Sequence, residues 1–428
     1  MLNPTFPAVP IPSLGSVPLP EVARVKLRQP TAPAIGDIEG GVRAALDRSA
    51  RLVSLPRGSS VAIAVGSRGI AHIGLLARTV VAWLRERGLD PFIVPAMGSH
   101  GGGTAEGQAG VLARLGVDEA RTGAPVRAGM EVVECGRTAR GVPCNFDALA
   151  HAADAVVIIA RIKSHTSFDR PVESGLTKMV GIGLGKQEGA RNIHGMGPMG
   201  LSEVLPEMAA IAIANSPLAH GLAIVENAAH EIVTIEGVEP QDFADVDRRL
   251  LKRAKSLLAR LPFRQLDVLA CEELGKEISG AGMDYAVIGR TDIRGMANPD
   301  HIFMAKLVAL RLTAATHGNG VGVGVADYIP KSMADGLDLK SMYENAITSA
   351  ISEKCRIPMV MATEREALQA ALATCWNTDP ATRRYCQIRN TLALDEILVS
   401  RPLLDELEQE GDLQPMQFDG EGRLLTCV

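Results

Sequence analysis

Aromatic side chains are scarce in this 428-residue chain, at 3% of all residues. Base stacking, on which single-stranded nucleic-acid binding depends, therefore has few side chains to use. An excess of basic charge is also lacking, because 44 basic residues stand against 49 acidic ones and the formal net charge is −5. A surface that follows a phosphate backbone needs a basic excess. We therefore expect no nucleic-acid partner.

Long apolar runs and closely paired cysteines are absent as well. No uninterrupted apolar run reaches the roughly 20 residues that a membrane-spanning helix needs. Residues 1–33 are proline-rich and have no charged segment ahead of an apolar one, so we predict no secretory signal. The seven cysteines are scattered and include no Cys-x-x-Cys pair. This usage is typical of reduced thiols and indicates a cytoplasmic protein without membrane contact.

Short apolar runs alternate with helical patterns along the chain, and this order predicts an α/β fold. Residues 60–65 predict a strand, residues 70–89 a helix and residues 91–94 the next strand, which together make a β-α-β unit. A strongly apolar run at 153–162 is typical of a strand that is buried on both faces.

A basic amphipathic helix at 248–260 marks the predicted boundary between two α/β domains. We expect an N-terminal domain over residues 1–262 that carries the cofactor and acid–base residues, and a C-terminal domain over 263–410. An active-site cleft is expected between them. The tail, 411–428, is expected either to pack back on the N-terminal domain or to be loose. In the second domain, alternating glycine and valine at 320–326 predict a strand.

Polar side chains follow three predicted strands of the first domain. Ser67 and Arg68 come after the first of them, and His100 lies in a Gly-rich loop after the second. Lys163 and His165 follow the apolar strand that ends at residue 162. Ligands of open α/β sheets bind beyond the carboxyl ends of the strands. The sequence therefore predicts a site at this edge, built from cationic and imidazole groups.

Two further candidates lie between residues 173 and 197. Lys178 ends the segment Glu-Ser-Gly-Leu-Thr-Lys, and His194 lies in a Gly-rich stretch sixteen residues later. The Gly-x-Gly-x-Gly-Lys run between them lacks the Walker spacing and a preceding strand, so a tight turn is the simpler interpretation. A neutral imidazole can bind a late transition metal, but no second ligand follows His194 at i+3 or i+4. Further ligands must come from elsewhere in the fold or from a cofactor.

Four segments in this order resemble the nickel-dependent lactate racemase family, and more closely its lactate-racemase-like hydroxyacid racemase and epimerase branches. They are residues 95–102 (PAMGSHGG), 163–165 (KSH), 174–178 (SGLTK) and 275–283 (GKEISGAGM), and the resemblance spans about residues 50–400. It implies a nickel-pincer nucleotide, a pyridinium mononucleotide with two sulfur-bearing substituents. One substituent forms a thioamide with a lysine, and nickel is held by two sulfurs, a ring carbon and one histidine.

The resemblance implies a role for each candidate residue. Lys178 matches the tethering lysine and His194 the nickel ligand, while Ser67 and Gly175 lie in segments that contact the cofactor. The resemblance also implies three catalytic residues. His100 and His165 match the paired acid–base histidines, and Arg68 matches the arginine near the substrate.

The implied activity is racemisation or epimerisation of a small anionic 2-hydroxy acid. Hydride leaves C2 for the cofactor and returns to the other face of a bound 2-keto acid, while one histidine accepts the hydroxyl proton. Imidazole, with an unperturbed pKa of about 6.5, suits proton transfer in both directions. Arg68 would counter the carboxylate charge. The implied partners are the substrate and the enzymes that synthesise and load the cofactor.

The sequence departs from the family pattern at positions that the resemblance places around the substrate rather than the cofactor. Residues 65–68 read Val-Gly-Ser-Arg, where lactate racemases have an aspartate and a histidine before Thr-Arg. The interval from His165 to Lys178 is 13, three longer than in the lactate enzymes. Lys331 and Lys340 are the candidates for a second-domain lysine that meets the substrate. These changes bear on lactate specificity and leave the tether and the nickel ligand in place.

Other functions fit parts of the sequence. A nicotinamide-dependent oxidoreductase needs Gly-x-Gly-x-x-Gly between a strand and a helix, which the first β-α turn, residues 66–69, does not supply. A non-catalytic protein that binds a sugar acid or carries the nickel cofactor would need the loop histidines to be dispensable. A metal hydrolase would need several protein ligands close together, and the sequence offers single histidines.

Overall fold

The computed structural model describes residues 3–67, 69–165, 169–197 and 199–428. The strands in chain order are β1 (Glu21–Lys26), β2 (Ser60–Val65), β3 (Asp90–Pro95), β4 (Val132–Arg137), β5 (Pro143–Asp147), β6 (Ala155–Arg161), β7 (Leu218–Glu226), β8 (Ile232–Val238), β9 (Gln265–Leu274), β10 (Phe303–Leu312), β11 (Tyr328–Pro330), β12 (Met359–Met361), β13 (Tyr385–Ile388), β14 (Glu396–Val399) and β15 (Gln414–Pro415).

The α-helices are α1 (Ile38–Leu46), α2 (Ala50–Val53), α3 (Ile73–Glu86), α4 (Ala105–Arg114), α5 (Glu119–Thr122), α6 (Ala148–His151), α7 (Leu176–Lys178), α8 (Lys186–His194), α9 (Leu205–Ala214), α10 (Phe243–Ser256), α11 (Tyr285–Ile288), α12 (Lys331–Asp335), α13 (Leu339–Ser349), α14 (Glu364–Thr374) and α15 (Arg401–Glu406). Two stretches, Met179–Leu184 and Gly200–Val204, are π-helical. Among the described residues, no helix combines the length and the apolar character needed to cross a bilayer.

The chain divides into two compact units. The first, which we call the five-stranded unit, comprises Pro30–His165 and Asp169–Leu258. The second, the eight-stranded unit, comprises Ala259–Val428 together with the N-terminal segment up to Gln29. Both contain a sheet with helices, which confirms the predicted α/β fold.

The five-stranded unit has the sheet order β3-β2-β6-β7-β8, in which only β8 runs antiparallel to its neighbour among these described strands. Apolar side chains of α1 and α3 cover one face, and those of α9 and α10 cover the other. The run at 153–162 forms β6 in the middle of this sheet and is buried on both faces, as predicted. Helix α3 begins three residues later than predicted because His72 adopts a left-handed conformation with φ +56°.

The eight-stranded unit has the order β12-β11-β10-β9-β13-β14-β1-β15. Strand β1 pairs antiparallel with β14 and also with β15. The N-terminal segment therefore belongs to this unit, whereas the sequence predicted it within a domain over 1–262. The tail lies in this unit too: β15 pairs with β1, and Gln387 donates to the Thr426 carbonyl at 2.8 Å. Pairings between residues 370 or more positions apart leave no local pattern in the sequence.

The predicted strand at 320–326 is wrong. This stretch contains a 3-10 turn, Val323–Val325, and the strand begins afterwards at Tyr328. Gly322 has φ +96°, and a Cβ there would lie 1.7 Å from the Ala281 carbonyl oxygen. Glycine in this stretch serves a close backbone approach rather than a pleated strand.

Candidate active site

Three neighbouring parallel strands of the five-stranded unit end at one edge of its sheet. Strand β2 pairs with β3 on one side and with β6 on the other. The loops that follow carry Ser67, His100 and His165, so these residues start from the same edge. Arg68, the predicted partner of the substrate carboxylate, lies outside the described residues.

His100 is exposed in the Gly-rich loop after β3. The loop begins at Gly98, whose φ of +60° suits glycine, and a Cβ there would lie 3.1 Å from the Ile182 side chain. The loop backbone thus lies against the π-helical stretch. Ser67 Oγ and His100 Nδ1 form a hydrogen bond. The contact joins the loops after β2 and β3 and fixes one ring nitrogen of the histidine.

His165 is held through its backbone. Lys163 and Ser174 form an antiparallel bridge, with N–H···O distances of 3.1 and 3.3 Å, that brings residue 165 beside the segment leading to α7. The buried carboxylate of Glu173 accepts from the His165 N–H, from the Arg170 N–H at 2.9 Å and from Lys255 Nζ.

Burial raises the pKa of Glu173, and the hydrogen bonds from Arg170 and Lys255 oppose that effect. Three donors on one shielded carboxyl group make it the anchor of the loop that carries His165.

Lys255→Met is expected to lower the free energy of unfolding by on the order of 3 kcal/mol, because the buried carboxyl of Glu173 loses its cation. Burial raises the pKa of Glu173 in the folded protein, so the stability that comes from its protonated form is present at low pH and is lost as pH rises through the Glu173 titration. Lys255 offsets this loss, because it stabilises the ionised carboxylate. The variant should therefore lose more stability at higher pH. Denaturant unfolding at several pH values measures this.

The matched control is Lys252→Met, which removes an exposed lysine from the same helix. Its effect should stay within about 0.5 kcal/mol, as for other surface substitutions. Equal losses for both variants, or a loss in Lys255→Met that does not depend on pH, would contradict the role given to Glu173.

Helix α7, which ends at Lys178, is anchored at its start by Asp247 of α10. The Asp247 carboxylate accepts from Leu176 N–H at 3.0 Å and from Thr177 N–H at 2.8 Å. Burial raises the pKa of Asp247 and these hydrogen bonds oppose the rise. Gly175 leaves room for this contact, since a Cβ there would lie 2.3 Å from Asp247 Oδ1.

Gly175→Ala is therefore expected to destabilise the protein by about 1–3 kcal/mol, the usual cost of overpacking. The added methyl group must push Asp247 away from the start of α7. Gly36→Ala is the control in the same unit, because a Cβ at Gly36 meets nothing within 4 Å. Thermal unfolding of both variants measures the difference, and a Gly175→Ala protein as stable as the control would contradict the close approach.

Lys178 and His194 lie on the two arms of a helical hairpin. The first arm consists of α7 and the π-helical stretch Met179–Leu184, and the second arm is α8. The chain turns back at Lys186, which adopts a left-handed conformation with φ +54°. The predicted tight turn is thus confined to the end of the Gly-x-Gly-x-Gly-Lys run, and His194 is the last residue of a helix rather than a loop residue.

The two arms touch through small residues. A Cβ at Gly189 would lie 2.8 Å from the Gly181 carbonyl oxygen, and a Cβ at Gly181 would lie 3.7 Å from the Ile193 side chain. Residues eight apart in a continuous helix are separated by about 12 Å, so the arms must lie against each other. Lys178 precedes Gly181 by three residues and His194 directly follows Ile193. Both half-buried side chains therefore belong to the same end of the hairpin.

The second arm also contacts the loop that carries His100. A Cβ at Gly98 would lie 3.5 Å from Ala190 Cβ. Ala190 and His194 are four residues apart on α8 and share a helix face. The face that carries His194 is thus the face that lies against the His100 loop.

The donor set limits how a metal could bind at this edge. Across the part of the chain that the structure describes, no group of three or more His, Cys, Asp or Glu side chains could hold a metal ion. A metal at this edge would therefore take ligands from another molecule. His194 offers an imidazole and Lys178 an amine, which are the groups that could hold a cofactor carrying such a metal.

Several residues that shape the site escaped the sequence analysis: Gln108, Asp147, Glu173, Lys186, Asp247 and Lys255. One of them left a signal. Asp247 falls on the apolar stripe of α10 with Phe243, Leu250 and Ala254, and a carboxylate on such a stripe indicates a buried hydrogen-bond acceptor. The two second-domain candidates, Lys331 and Lys340, form i,i+4 ion pairs with Asp335 and Glu344.

No protein-family model matches the chain, and no curated protein matches its sequence. Its fold is similar to that of the lactate racemase apoprotein from Thermoanaerobacterium thermosaccharolyticum, with a TM-score of 0.50 and 12% identity over 84% of this chain and 93% of that one. A protein from Thermotoga maritima gives a TM-score of 0.47 and 15% identity over 64% of this chain and 69% of that one. The similarity to the lactate racemase apoprotein confirms the predicted resemblance for the fold.

Proposed function

We propose that the protein is a 2-hydroxyacid racemase or epimerase that uses a nickel-pincer nucleotide attached to Lys178. The observation that carries the proposal is the helical hairpin: it brings Lys178 and His194 to one end, and its second arm lies against the loop of His100. The similarity of the fold to lactate racemase supports the same conclusion.

The residues of the hairpin would hold the cofactor. The Lys178 amine would carry the covalent link, and the His194 imidazole would be the single protein ligand of nickel. When bound, the cofactor supplies the group that accepts and returns hydride at C2. The chain supplies the binding and the proton transfers. Ser67 and Gly175 would lie in the segments next to the cofactor.

The two loop histidines would move the hydroxyl proton. Ser67 holds Nδ1 of His100 and so orients the imidazole that would exchange a proton with the substrate. His165 would serve the opposite enantiomer, since its backbone is fixed by Glu173 on a separate loop of the same edge. Arg68 would counter the substrate carboxylate.

Single enantiomers of a panel of 2-hydroxy acids test this function. Protein produced together with cofactor-synthesis enzymes should convert at least one of them to a mixture of configurations at C2, as measured by chiral chromatography. Protein produced without those enzymes should not. Loaded protein that inverts no member of the panel but reduces free nicotinamide dinucleotide would favour an oxidoreductase instead.

A further inference from the structure

Gln108, Lys186 and Asp147 form a buried polar network beside the loop that carries His100. Gln108 Nε2 donates to the backbone carbonyls of Gly98 at 2.8 Å and of His100 at 3.2 Å. Lys186 Nζ donates to Gln108 Oε1 at 3.3 Å and forms an ion pair with Asp147 at 2.8 Å. Away from water such hydrogen bonds are strong, and a member that lost its partner would be costly.

The chemistry of Lys186 decides which way the Gln108 amide points. An ammonium group has donors and no acceptor, so the amide oxygen must face Lys186 and the amide nitrogen must face the loop. Lys186 is held in turn by Asp147 and by the Pro95 carbonyl, which accepts from Nζ at 2.6 Å. Lys186, which contacts Gln108 on the side that faces away from the loop, therefore fixes the orientation of the Gln108 amide.

The loop depends on this anchor because its own backbone has little conformational preference. Four glycines with positive φ lie within six residues: Gly98, Gly101, Gly102 and Gly103. Glycine has more backbone freedom to lose than any other residue. Gln108 is the side chain that fixes both ends of the segment between Gly98 and His100, since its amide nitrogen reaches both carbonyls.

We propose that Gln108, oriented by Lys186, is a positioning residue for His100. It acts on the backbone of His100 rather than on the imidazole, so it fixes the place from which the ring reaches the substrate. Lys186 also occupies the turn of the helical hairpin, so the same network links the His100 loop to the arms that carry Lys178 and His194. The expected effect on turnover rests on the proposed function, whereas the effect on the loop does not.

Hydrogen–deuterium exchange of the cofactor-free protein tests the anchor. Gln108→Met removes the amide, and Gln108→Glu keeps its shape and its contact with Lys186 but has no N–H to donate. Both keep the ion pair of Lys186 and Asp147, so both should fold. We expect the amides of residues 98–103 to exchange about tenfold faster in both variants.

The control is Gln241→Met, the same change at an exposed position of the five-stranded unit, which should leave exchange at residues 98–103 unchanged. If neither Gln108 variant speeds exchange of the loop, the proposal is overturned. Faster exchange in both variants supports it, whatever reaction the protein catalyses.

A double-mutant cycle separates the positioning of His100 from a general effect on the fold. In loaded protein, Gln108→Met should lower kcat by up to about 100-fold while KM and the Lys178 adduct stay the same. In a His100→Ala background the same substitution should have no further effect, because the group that it positions is gone. Equal losses in both backgrounds would overturn the positioning role. If wild-type protein inverts no 2-hydroxy acid, the proposed function fails and the exchange experiment alone decides the anchor.

Discussion

Replacing Lys178 with alanine is expected to abolish the covalent cofactor adduct and racemisation together. The reason is that the proposed link is a single bond to one amine, for which no neighbouring group can substitute without moving the cofactor away from His194. Mass spectrometry of the peptide that contains residue 178, combined with a racemisation assay, measures both effects on the same preparation. Racemisation activity is expected to fall to that of protein produced without the cofactor-synthesis enzymes.

Lys163→Ala is the matched control, because Lys163 is a half-buried lysine of the same sheet edge and the bridge to Ser174 uses only its backbone. This variant should keep the adduct. His194→Ala should keep the Lys178 adduct and contain less nickel. An adduct that persists in Lys178→Ala, or that forms on another lysine, would remove Lys178 from the proposed role.

His100→Ala and His165→Ala are each expected to lower kcat by about 10²–10⁴-fold, the range typical of a lost general acid or base. Cofactor loading should not change, since neither imidazole is proposed to contact nickel. Steady-state kinetics in both directions, normalised to the amount of Lys178 adduct, measures the effect.

The control for both histidines is His151→Ala. His151 ends α6 just before β6, so it lies at the opposite edge of the sheet from the loops of His100 and His165. Its replacement should leave kcat unchanged. A loop variant that turns over as fast as the control, with the same adduct content, would exclude that histidine from proton transfer.

The sheet edge could be predicted from the sequence because strand ends leave local signals. The run at 60–65 became β2 with the same bounds, and the residues after it and after β3 and β6 share one edge because the three strands are parallel. Alternation between strands and helices is enough to predict this arrangement. The same reasoning failed at 320–326, where glycines needed for close packing imitate an alternating strand.

The supporting contacts could not be predicted, because they join distant parts of the chain. Lys186 and Asp147 are 39 positions apart, and Glu173 and Lys255 are 82 apart. Nothing in the local sequence of Lys186 distinguishes a buried ion pair from a lysine that binds phosphate after a Gly-rich run. Only the reversal of the chain at this residue, together with its complete burial, reveals the difference.

The fate of deuterium at C2 of the substrate distinguishes hydride transfer from removal of the C2 proton by a base. Loaded protein is incubated in ordinary water with one enantiomer of a 2-hydroxy acid labelled at C2, and the inverted product is analysed by mass spectrometry. Because hydride is proposed to leave C2 and return to it without exchange with water, the product is predicted to keep its label. Loss of the label during inversion would mean that C2 is deprotonated by a base, and this result would contradict hydride transfer.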